Sequence, residues 1–150
     1  MKEISGNLIK LAKEGKFDLI IHGCNCQKKW GAGIALSLKE ELPLAYQADL
    51  DYDTPKLNEY STCDDYDFTV INAYTQFYPG GSFYQNDTKE KRMESIKNVF
   101  IDLNKKYKGK HIGLPLIGCG YGGLDWDEVK LYIQMYLSDM EITVVHFDNT

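Results

Sequence analysis

The sequence lacks the segments that would place a chain in a membrane or direct it to export. No stretch approaches the roughly 20 consecutive apolar residues of a membrane-spanning helix. Residues 1–5 contain no apolar run followed by a small-residue cleavage site, so they do not form a signal peptide. We therefore expect a cytoplasmic protein without a membrane partner.

The sequence also lacks an excess of basic residues. Its net charge is −5 with acids and bases interspersed, whereas binding to nucleic acid through phosphate neutralisation usually needs a basic face. The densest basic stretches, residues 89–92 and 105–108, are typical of the solvated side of a helix. We expect no direct binding to DNA or RNA. The charge does not exclude a phosphate-bearing small molecule as the ligand, because backbone amides bind phosphate without net positive charge.

The cysteines are not spaced as a zinc site requires. They are Cys24, Cys26, Cys63 and Cys119. One residue separates the first two instead of two, and no second pair completes a zinc site. We therefore expect neither a metal nor a cofactor. Because the sequence shows no export signal, we expect the thiols to be reduced. Cys24 and Cys119 stand in glycine-rich loops, where a small apolar side chain packs easily.

Short apolar runs alternate with helical patterns along the 150 residues. We predict strands near residues 2–5, 19–21, 68–73, 111–116 and 142–147. We predict helices over residues 8–14, 43–50 and 87–107, around residues 129–137, and in a segment that begins at residue 34. Residues 51–67 are polar and turn-rich, and are predicted to form a surface excursion with weak strand content. Strands alternating with helices imply an α/β fold, with parallel pairing and helices on both sheet faces. One domain over residues 1–150 is expected.

Two glycine-rich loops each follow a predicted strand and precede a predicted helix. The first runs from Gly23 to Gly33, and the second has four glycines in the six residues from Gly118 to Gly123. Such loops expose backbone amides at the positive end of a helix, and they meet at the carboxyl ends of strands. Neither matches a P-loop or a G-x-G-x-x-G motif in its proper setting. The residues alone leave open either tight connections or a site that binds a diphosphate.

Three stretches of the sequence together are specific enough to indicate a family. They are His22-Gly23-Cys24-Asn25-Cys26 with Trp30-Gly31-Ala32-Gly33-Ile34-Ala35, then Val70-Ile71-Asn72-Ala73-Tyr74-Thr75-Gln76, and then Pro115-Leu116-Ile117-Gly118-Cys119-Gly120 with Gly122-Gly123-Leu124-Asp125-Trp126. These stretches resemble the macrodomain family, and within it most of all the ADP-ribose-1''-phosphate phosphatase branch. The resemblance covers essentially the whole chain. It implies a three-layer α/β/α fold with a central mixed, mostly parallel sheet, and a site for ADP-ribose.

The resemblance also implies which residues bind the ligand. Asn7 and Leu8 stand where family members hold the adenine, with Asn7 in place of the usual aspartate. Asn7 can still accept a hydrogen bond from the adenine amino group, and it can equally cap a helix. One side of the diphosphate would be bound by Gly31, Ala32, Gly33 and Ile34, and the other side, with the distal ribose, by Gly118, Cys119, Gly120, Tyr121 and Gly122. Asn25 would contact the distal ribose hydroxyls, and Trp30 would either shield the pocket or pack within its loop.

Three residues are candidates for catalysis. His22 stands where the phosphatase branch has a proposed catalytic histidine, and a neutral imidazole could move a proton at the terminal phosphate. The alternative is that His22 only orders the loop through hydrogen bonds. Asn25 is the second candidate, through its contact with the distal ribose. Asp125 is the acid nearest to the second loop, although Asp125 and Glu128 also fit a helix capping box.

The sequence leaves several functions open. The first is hydrolysis of ADP-ribose-1''-phosphate to ADP-ribose and phosphate. A second is removal of ADP-ribose from an ADP-ribosylated protein. The glycohydrolase branch does this with a lysine and an aspartate, but the matching positions hold Gln76 and Gly122, so Lys28 or Lys29 would have to substitute. The third is a non-catalytic module that binds ADP-ribose, and the fourth is an unrelated α/β interaction domain.

Overall fold

The computed structural model describes residues 1–148, in which helices flank a six-stranded sheet. In chain order the elements are β1 (Lys2–Gly6), α1 (Leu8–Lys13), β2 (Leu19–Asn25), α2 (Gly33–Glu41), α3 (Pro43–Asp51), β3 (Tyr60–Cys63), β4 (Thr69–Gln76), α4 (Lys89–Lys106), β5 (His111–Leu114), α5 (Trp126–Tyr136) and β6 (Glu141–Phe147). The alternation of strands and helices confirms the α/β prediction. Within the described residues, no helix is both long and apolar enough to cross a bilayer.

The strands lie in the order β1-β6-β5-β2-β4-β3. All neighbouring pairs run parallel except β3 and β4, which are antiparallel. The sheet is therefore mixed and mostly parallel, as the resemblance implied. Because five strands share one direction, their carboxyl ends lie along the same edge of the sheet, and the loops that follow them converge there.

Side chains alternate between the two faces of the sheet and so define three layers. In β2, Leu19 and Ile21 pack into a core with α4 and α5, whereas Ile20 packs into a second core with α1, α2 and α3. β4 follows the same rule, with Ile71 on the first side and Val70 on the second. The central strands are buried on both faces, which explains their continuous apolar runs.

The longest helix, α4, is fixed by an apolar face at helical spacing. Its buried apolar residues are Met93, Ile96, Val99, Phe100 and Leu103. Thr88 caps the helix by accepting a hydrogen bond from the N–H of Lys91. The helix therefore starts two residues later than the predicted 87, and Asp87 is left in the preceding loop with its side chain fully buried.

The segment predicted to be a surface excursion contains a strand at the edge of the sheet. In β3, Ser61 and Cys63 are buried while Tyr60 and Thr62 are partly exposed. This period-2 pattern spans only four residues, too short to stand out among the polar residues around it. The strand forms because β4 offers it a free edge and the antiparallel pairing buries two small side chains.

Candidate functional site

A cleft with a volume of ≈ 830 Å³ opens at the carboxyl edge of the sheet. Its walls come from the segments that end or follow β1, β2, β4, β5 and β6. Every residue predicted to bind the ligand lines this cleft: Asn7, Leu8, Asn25, Trp30, Gly31, Ala32, Gly33, Ile34, Gly118, Cys119, Gly120, Tyr121 and Gly122. The volume lies within the range of about 300–1,000 Å³ that small-molecule sites occupy.

The first wall begins with a turn that Asn25 closes through its side chain. The Asn25 amide oxygen accepts hydrogen bonds from the N–H groups of Gln27 (3.0 Å) and Lys29 (3.2 Å). The amide nitrogen donates to the carbonyl of Lys29 at 2.8 Å. Asn25 lines the cleft and is 8% exposed, so its first role is to shape the loop. One N–H of its amide is left for a further acceptor.

Trp30 is held in this wall by a buried carboxylate. The indole N–H donates to Asp49 of α3 at 2.7 Å, and the hydroxyl of Tyr74 in β4 donates to the other oxygen of Asp49, also at 2.7 Å. Asp49 is fully buried, so these charge-assisted bonds replace the water that the carboxylate has lost. Trp30 is 3% exposed. It packs within the loop while one side of it lines the cleft.

Lys28 ties the same loop to the end of α3. Its backbone is in the left-handed region, with φ 59°, and its ammonium donates to the carbonyls of Asp49 and Tyr52. Cations near helix C-termini are favoured because they satisfy the last carbonyls. Lys28 does not line the cleft, whereas its neighbour Lys29 does.

The start of α2 presents unsatisfied donors to the cleft. Gly33, Ile34 and Ala35 form the first turn and line the cleft, and the first N–H groups of a helix have no intrahelical acceptor. The N-cap residue Ala32 makes no side-chain capping bond. Gly33 has φ 59°, a conformation that favours glycine. The N–H groups of this turn have no acceptor within the helix itself, and the positive end of the helix dipole favours an anion.

The second wall is a glycine loop in which the backbone itself forms the surface. Gly118 and Gly123 have φ values of 77° and 75°, and the N–H of Leu124 closes the loop onto the carbonyl of Gly118 at 3.0 Å. A Cβ on Gly122 would lie 2.6 Å from that carbonyl oxygen, so no side chain fits there. Tyr121 at the mouth is 75% exposed.

At the far end of the cleft, Asn7 and Phe147 lie on neighbouring strand ends. Gly6 at the end of β1 is paired with Phe147 at the end of β6. The Asn7 side chain caps α1 by accepting from the N–H of Lys10 at 3.1 Å, which leaves its oxygen a second lone pair. Phe147 lines the cleft and is 76% exposed. An amide next to an exposed ring suits a flat heterocycle with a polar edge.

His22, the first candidate for catalysis, does not line the cleft. Alternation along β2 turns its side chain to the α3 side of the sheet, where it is 1% exposed and contacts Trp30 edge to face at 4.7 Å. The Asn72 amide nitrogen donates to the carbonyl of Ala45, so its oxygen accepts from Nε2 of His22 at 2.7 Å. Burial lowers the pKa of His22 to about 4, although the hydrogen bond to Asn72 and the charge of Asp49 oppose the shift. The geometry matches the alternative in which His22 orders the strand ends.

Asp125, the third candidate for catalysis, also stands outside the lining of the cleft. It is exposed and caps α5 by accepting from the N–H of Asp127 at 3.0 Å. The predicted N-cap is therefore correct, with Asp127 as the donor. A carboxylate at this position satisfies the first turn of α5 instead of facing a ligand.

The ionisable side chains that line the cleft do not include an acid–base pair. They are Cys24, Lys29, Cys119 and Tyr121. Burial raises the pKa of the Cys24 thiol well above its ordinary value, with the charge of Asp49 adding to the shift. Burial and the charge of Asp125 raise the pKa of Cys119 to about 11. Both thiols stay protonated at neutral pH and are poor nucleophiles. Residues 1–148 contain no His, Cys, Asp and Glu cluster able to hold a metal ion.

Sequence reasoning missed several residues of the cleft. Pro79 and Gly80 follow β4, while Val145 and Phe147 belong to the end of β6. Gln76 at the end of β4 was named only as a departure from the glycohydrolase pattern, and it also lines the cleft. A usable signal existed, because the ends of parallel strands share one edge and the residues that follow them meet the same ligand. The sequence does not tell which neighbouring strands contribute, since strand order is set by long-range pairing.

A mostly parallel α/β sheet with a cleft between two glycine-rich loops at its carboxyl edge defines an α/β ligand-binding domain. The Macro domain family matches residues 21–133 of the chain. An uncharacterized 17.5 kDa protein in the tk-vs intergenic region of Enterobacteria phage T4 is 32% identical over 160 residues, covering 99% of this chain and 97% of the relative. The chain therefore belongs to the Macro domain family.

Two further proteins are similar along nearly the whole chain. An ADP-ribose 1''-phosphate phosphatase of Saccharomyces cerevisiae is 24% identical over 170 residues, covering 94% of this chain and 95% of the relative. Among solved structures, the macrodomain of Thermus aquaticus DarG matches with a TM-score of 0.73 and 24% identity, over 98% of this chain and 97% of that chain. The three-layer macrodomain fold is thereby confirmed.

The buried position of His22 leads to a test by titration. We expect its ring to titrate with a pKa of about 4 instead of 6.5, as followed by the NMR shift of the ring proton and assigned with His22→Gln. Between pH 6.5 and 4 the unfolded chain then takes up a proton that the folded chain refuses. The free energy of unfolding therefore falls as the pH drops through this window, and it is unaffected by His22 titration above it. A midpoint near 6.5 would contradict the buried placement.

Proposed function

We propose that the protein binds ADP-ribose in the cleft between its two glycine-rich loops. The observation that carries the proposal is the convergence of both glycine-rich loops and the start of α2 on one cleft. Backbone N–H groups at a helix start and in glycine loops bind phosphate oxygens without basic side chains. This fits a chain of net charge −5.

The diphosphate lies between the two walls in this proposal. On one side the uncapped first turn of α2, at Gly33 and Ile34, supplies N–H donors and the positive end of its dipole. On the other side the loop from Gly118 to Gly122 supplies backbone from close range, because a side chain is sterically excluded at Gly122. Lys29 is the cationic side chain of the lining and adds charge at the rim.

The adenine lies at the end formed by β1 and β6. Asn7 keeps its capping bond and accepts from the adenine amino group with its second lone pair. Phe147 offers an exposed ring for stacking, and Leu8 and Val145 add apolar surface to the same end of the cleft. The distal ribose is then left with Asn25 and the second glycine loop, in line with the expectation from the sequence.

Hydrolysis of ADP-ribose-1''-phosphate is the second candidate function. It is favoured by the yeast relative of that name, which aligns along nearly the whole of both chains. In this reaction a water oxygen attacks phosphorus, the bond to the C1'' oxygen breaks, and ADP-ribose leaves with a hydroxyl group. The described cleft offers amides and Lys29 to hold the phosphate, but no carboxylate or imidazole to accept the proton of the water. The geometry therefore supports binding more strongly than turnover.

Removal of ADP-ribose from a protein is supported less. Gln76 lines the cleft, but its amide donates to the carbonyl of Tyr78 at 2.8 Å and cannot form a lysyl adduct. Gly122 has no side chain to act as an acid. Lys28 is bound to the carbonyls at the end of α3, so Lys29 is the lysine of this loop that could approach a sugar.

Gly33→Ala tests the proposed binding site, with Gly109→Ala as its matched control. Both glycines have positive φ and no atom within 4 Å of an added Cβ, so each variant should lose roughly 1–2 kcal/mol of stability through backbone strain. We expect wild-type protein and Gly109→Ala to bind ADP-ribose at one site by calorimetry. Gly33→Ala should bind at least about tenfold more weakly, or about 1.4 kcal/mol. Absence of binding to wild-type protein at millimolar ADP-ribose would refute the proposal.

Phosphate release from ADP-ribose-1''-phosphate decides between binding alone and hydrolysis. Product beyond one equivalent per protein would establish the second candidate, whereas saturable binding without product would leave the binding function. We expect His22→Gln to release phosphate at the wild-type rate, within about twofold, because His22 does not line the cleft. A collapse of the rate in a folded His22→Gln protein would contradict this placement.

Asn7→Asp tests the adenine end. Asparagine and aspartate are equally good N-caps, so the free energy of unfolding should change by less than about 0.5 kcal/mol. A carboxylate accepts a stronger hydrogen bond from the adenine amino group, so the preference for ADP-ribose over its inosine counterpart should rise about fivefold. Competition binding with the two nucleotides measures this ratio. An unchanged ratio would show that Asn7 acts only as a cap.

A further inference from the structure

Arg92 is the only arginine in the chain. It lies in the first turn of α4 and is 1% exposed. A guanidinium has five N–H donors and no acceptor, and a buried one is costly unless these donors are all satisfied. The partners of Arg92 therefore show what its burial accomplishes.

One edge of the guanidinium is fixed by Asp87. Nε donates to Oδ1 at 2.9 Å and Nη2 to Oδ2 at 2.7 Å, which is a bidentate pair. Asp87 is fully buried, and its Oδ2 also accepts from the N–H of Tyr78 at 2.9 Å. Burial by itself would raise the pKa of Asp87, but the bonds from Arg92 and the backbone hold it below its ordinary value. The pair is therefore charged at neutral pH and locks the direction of the guanidinium.

The remaining donors reach two different loops of the cleft. Nη1 donates to the carbonyl of Gly80 at 2.7 Å and to that of Gly122 at 2.9 Å, and Nη2 donates to the carbonyl of Gly81 at 3.1 Å. Gly80 follows β4 and Gly122 follows β5, and both line the cleft. A single nitrogen thus bridges two walls that no strand pairing connects, because β2 lies between β4 and β5 in the sheet.

We infer that Arg92 is a positioning residue that sets the spacing between the 78–81 loop and the 118–122 loop, and so determines how well the cleft accepts the distal part of its ligand. The inference rests on the proposed function, which assigns the second glycine loop to the distal ribose. Arg92 does not line the cleft and does not touch the ligand itself.

Simple stabilisation of the core does not explain this arrangement. A buried ion pair is weak evidence for stability, since apolar residues of similar volume often do as well. An apolar side chain could replace the contacts with the core, but it could not bind carbonyls of two loops at once. A lysine could keep the charge beside Asp87, yet its single ammonium lacks the planar fork that reaches Asp87 and both loops together.

The test compares Arg92→Lys and Arg92→Met with the control Lys91→Met, which removes an exposed charge from the neighbouring position of the same helix. Arg92→Lys keeps a cation beside Asp87, so it remains informative if Arg92→Met fails to fold. Affinities for ADP-ribose and AMP are measured by calorimetry. Amide hydrogen exchange is followed in the ligand-free proteins.

We expect Arg92→Lys to bind ADP-ribose about tenfold more weakly, as for the loss of one or two well-formed hydrogen bonds. Its affinity for AMP, which lacks the distal ribose, should stay within about twofold of wild type. Amide hydrogen exchange in ligand-free Arg92→Lys should be faster than in wild type in residues 78–81 and 118–123 but not in residues 31–35. Lys91→Met should match wild type in every measurement.

Equal losses of affinity for ADP-ribose and AMP would overturn the inference, because they indicate general destabilisation. Unchanged affinity for both ligands would overturn it as well. If wild-type protein fails to bind ADP-ribose, the proposed function is wrong. In that case, amide hydrogen exchange in ligand-free Arg92→Lys still tests the inference. Faster exchange in only one of the two loops, or in neither, would show that Arg92 does not couple them.

Discussion

The buried carboxylate of Asp49 is the interaction on which the first wall of the cleft depends. A carboxylate taken out of water must find donors, and Asp49 finds the indole of Trp30 and the hydroxyl of Tyr74. These three residues belong to α3, the first loop and β4, so satisfying one charge fixes three separate segments. Lys28 adds a second attachment by donating to the backbone carbonyl of Asp49. The loop is therefore attached to α3 at two separate points.

Buried polar side chains and the loops that line the cleft have different roles in this protein. Polar side chains such as Asp49, Arg92 and Asn72 are buried and hold the loops and strands from behind. The cleft that remains for a ligand is lined by the glycine loops, the start of α2 and side chains that are mostly apolar or neutral. This division explains how an acidic chain can offer an anion site, and the buried His22 is bonded to Asn72 behind that site.

The α/β architecture and the cleft were predictable because they depend on local patterns. Apolar runs, the helical spacing of α4 and the position of two glycine loops after strands are all visible in the sequence. The side of the sheet on which His22 lies was not predictable, since alternation groups it with Ile20 but does not tell which helices cover that face. The strand β3 and the partners of Arg92 were also missed, because each depends on residues distant in the chain.

The two glycine loops of the cleft have a consequence for inhibitor selectivity. A compound that imitates a diphosphate would meet donors that every protein with the same two glycine loops also presents, since peptide N–H groups do not vary with sequence. Discrimination among such proteins has to come from the ends and the mouth of the cleft, where the side chains of Asn7, Phe147 and Tyr121 form the surface. A selective inhibitor would therefore be extended toward these side chains and would leave the centre of the cleft as a common anchor.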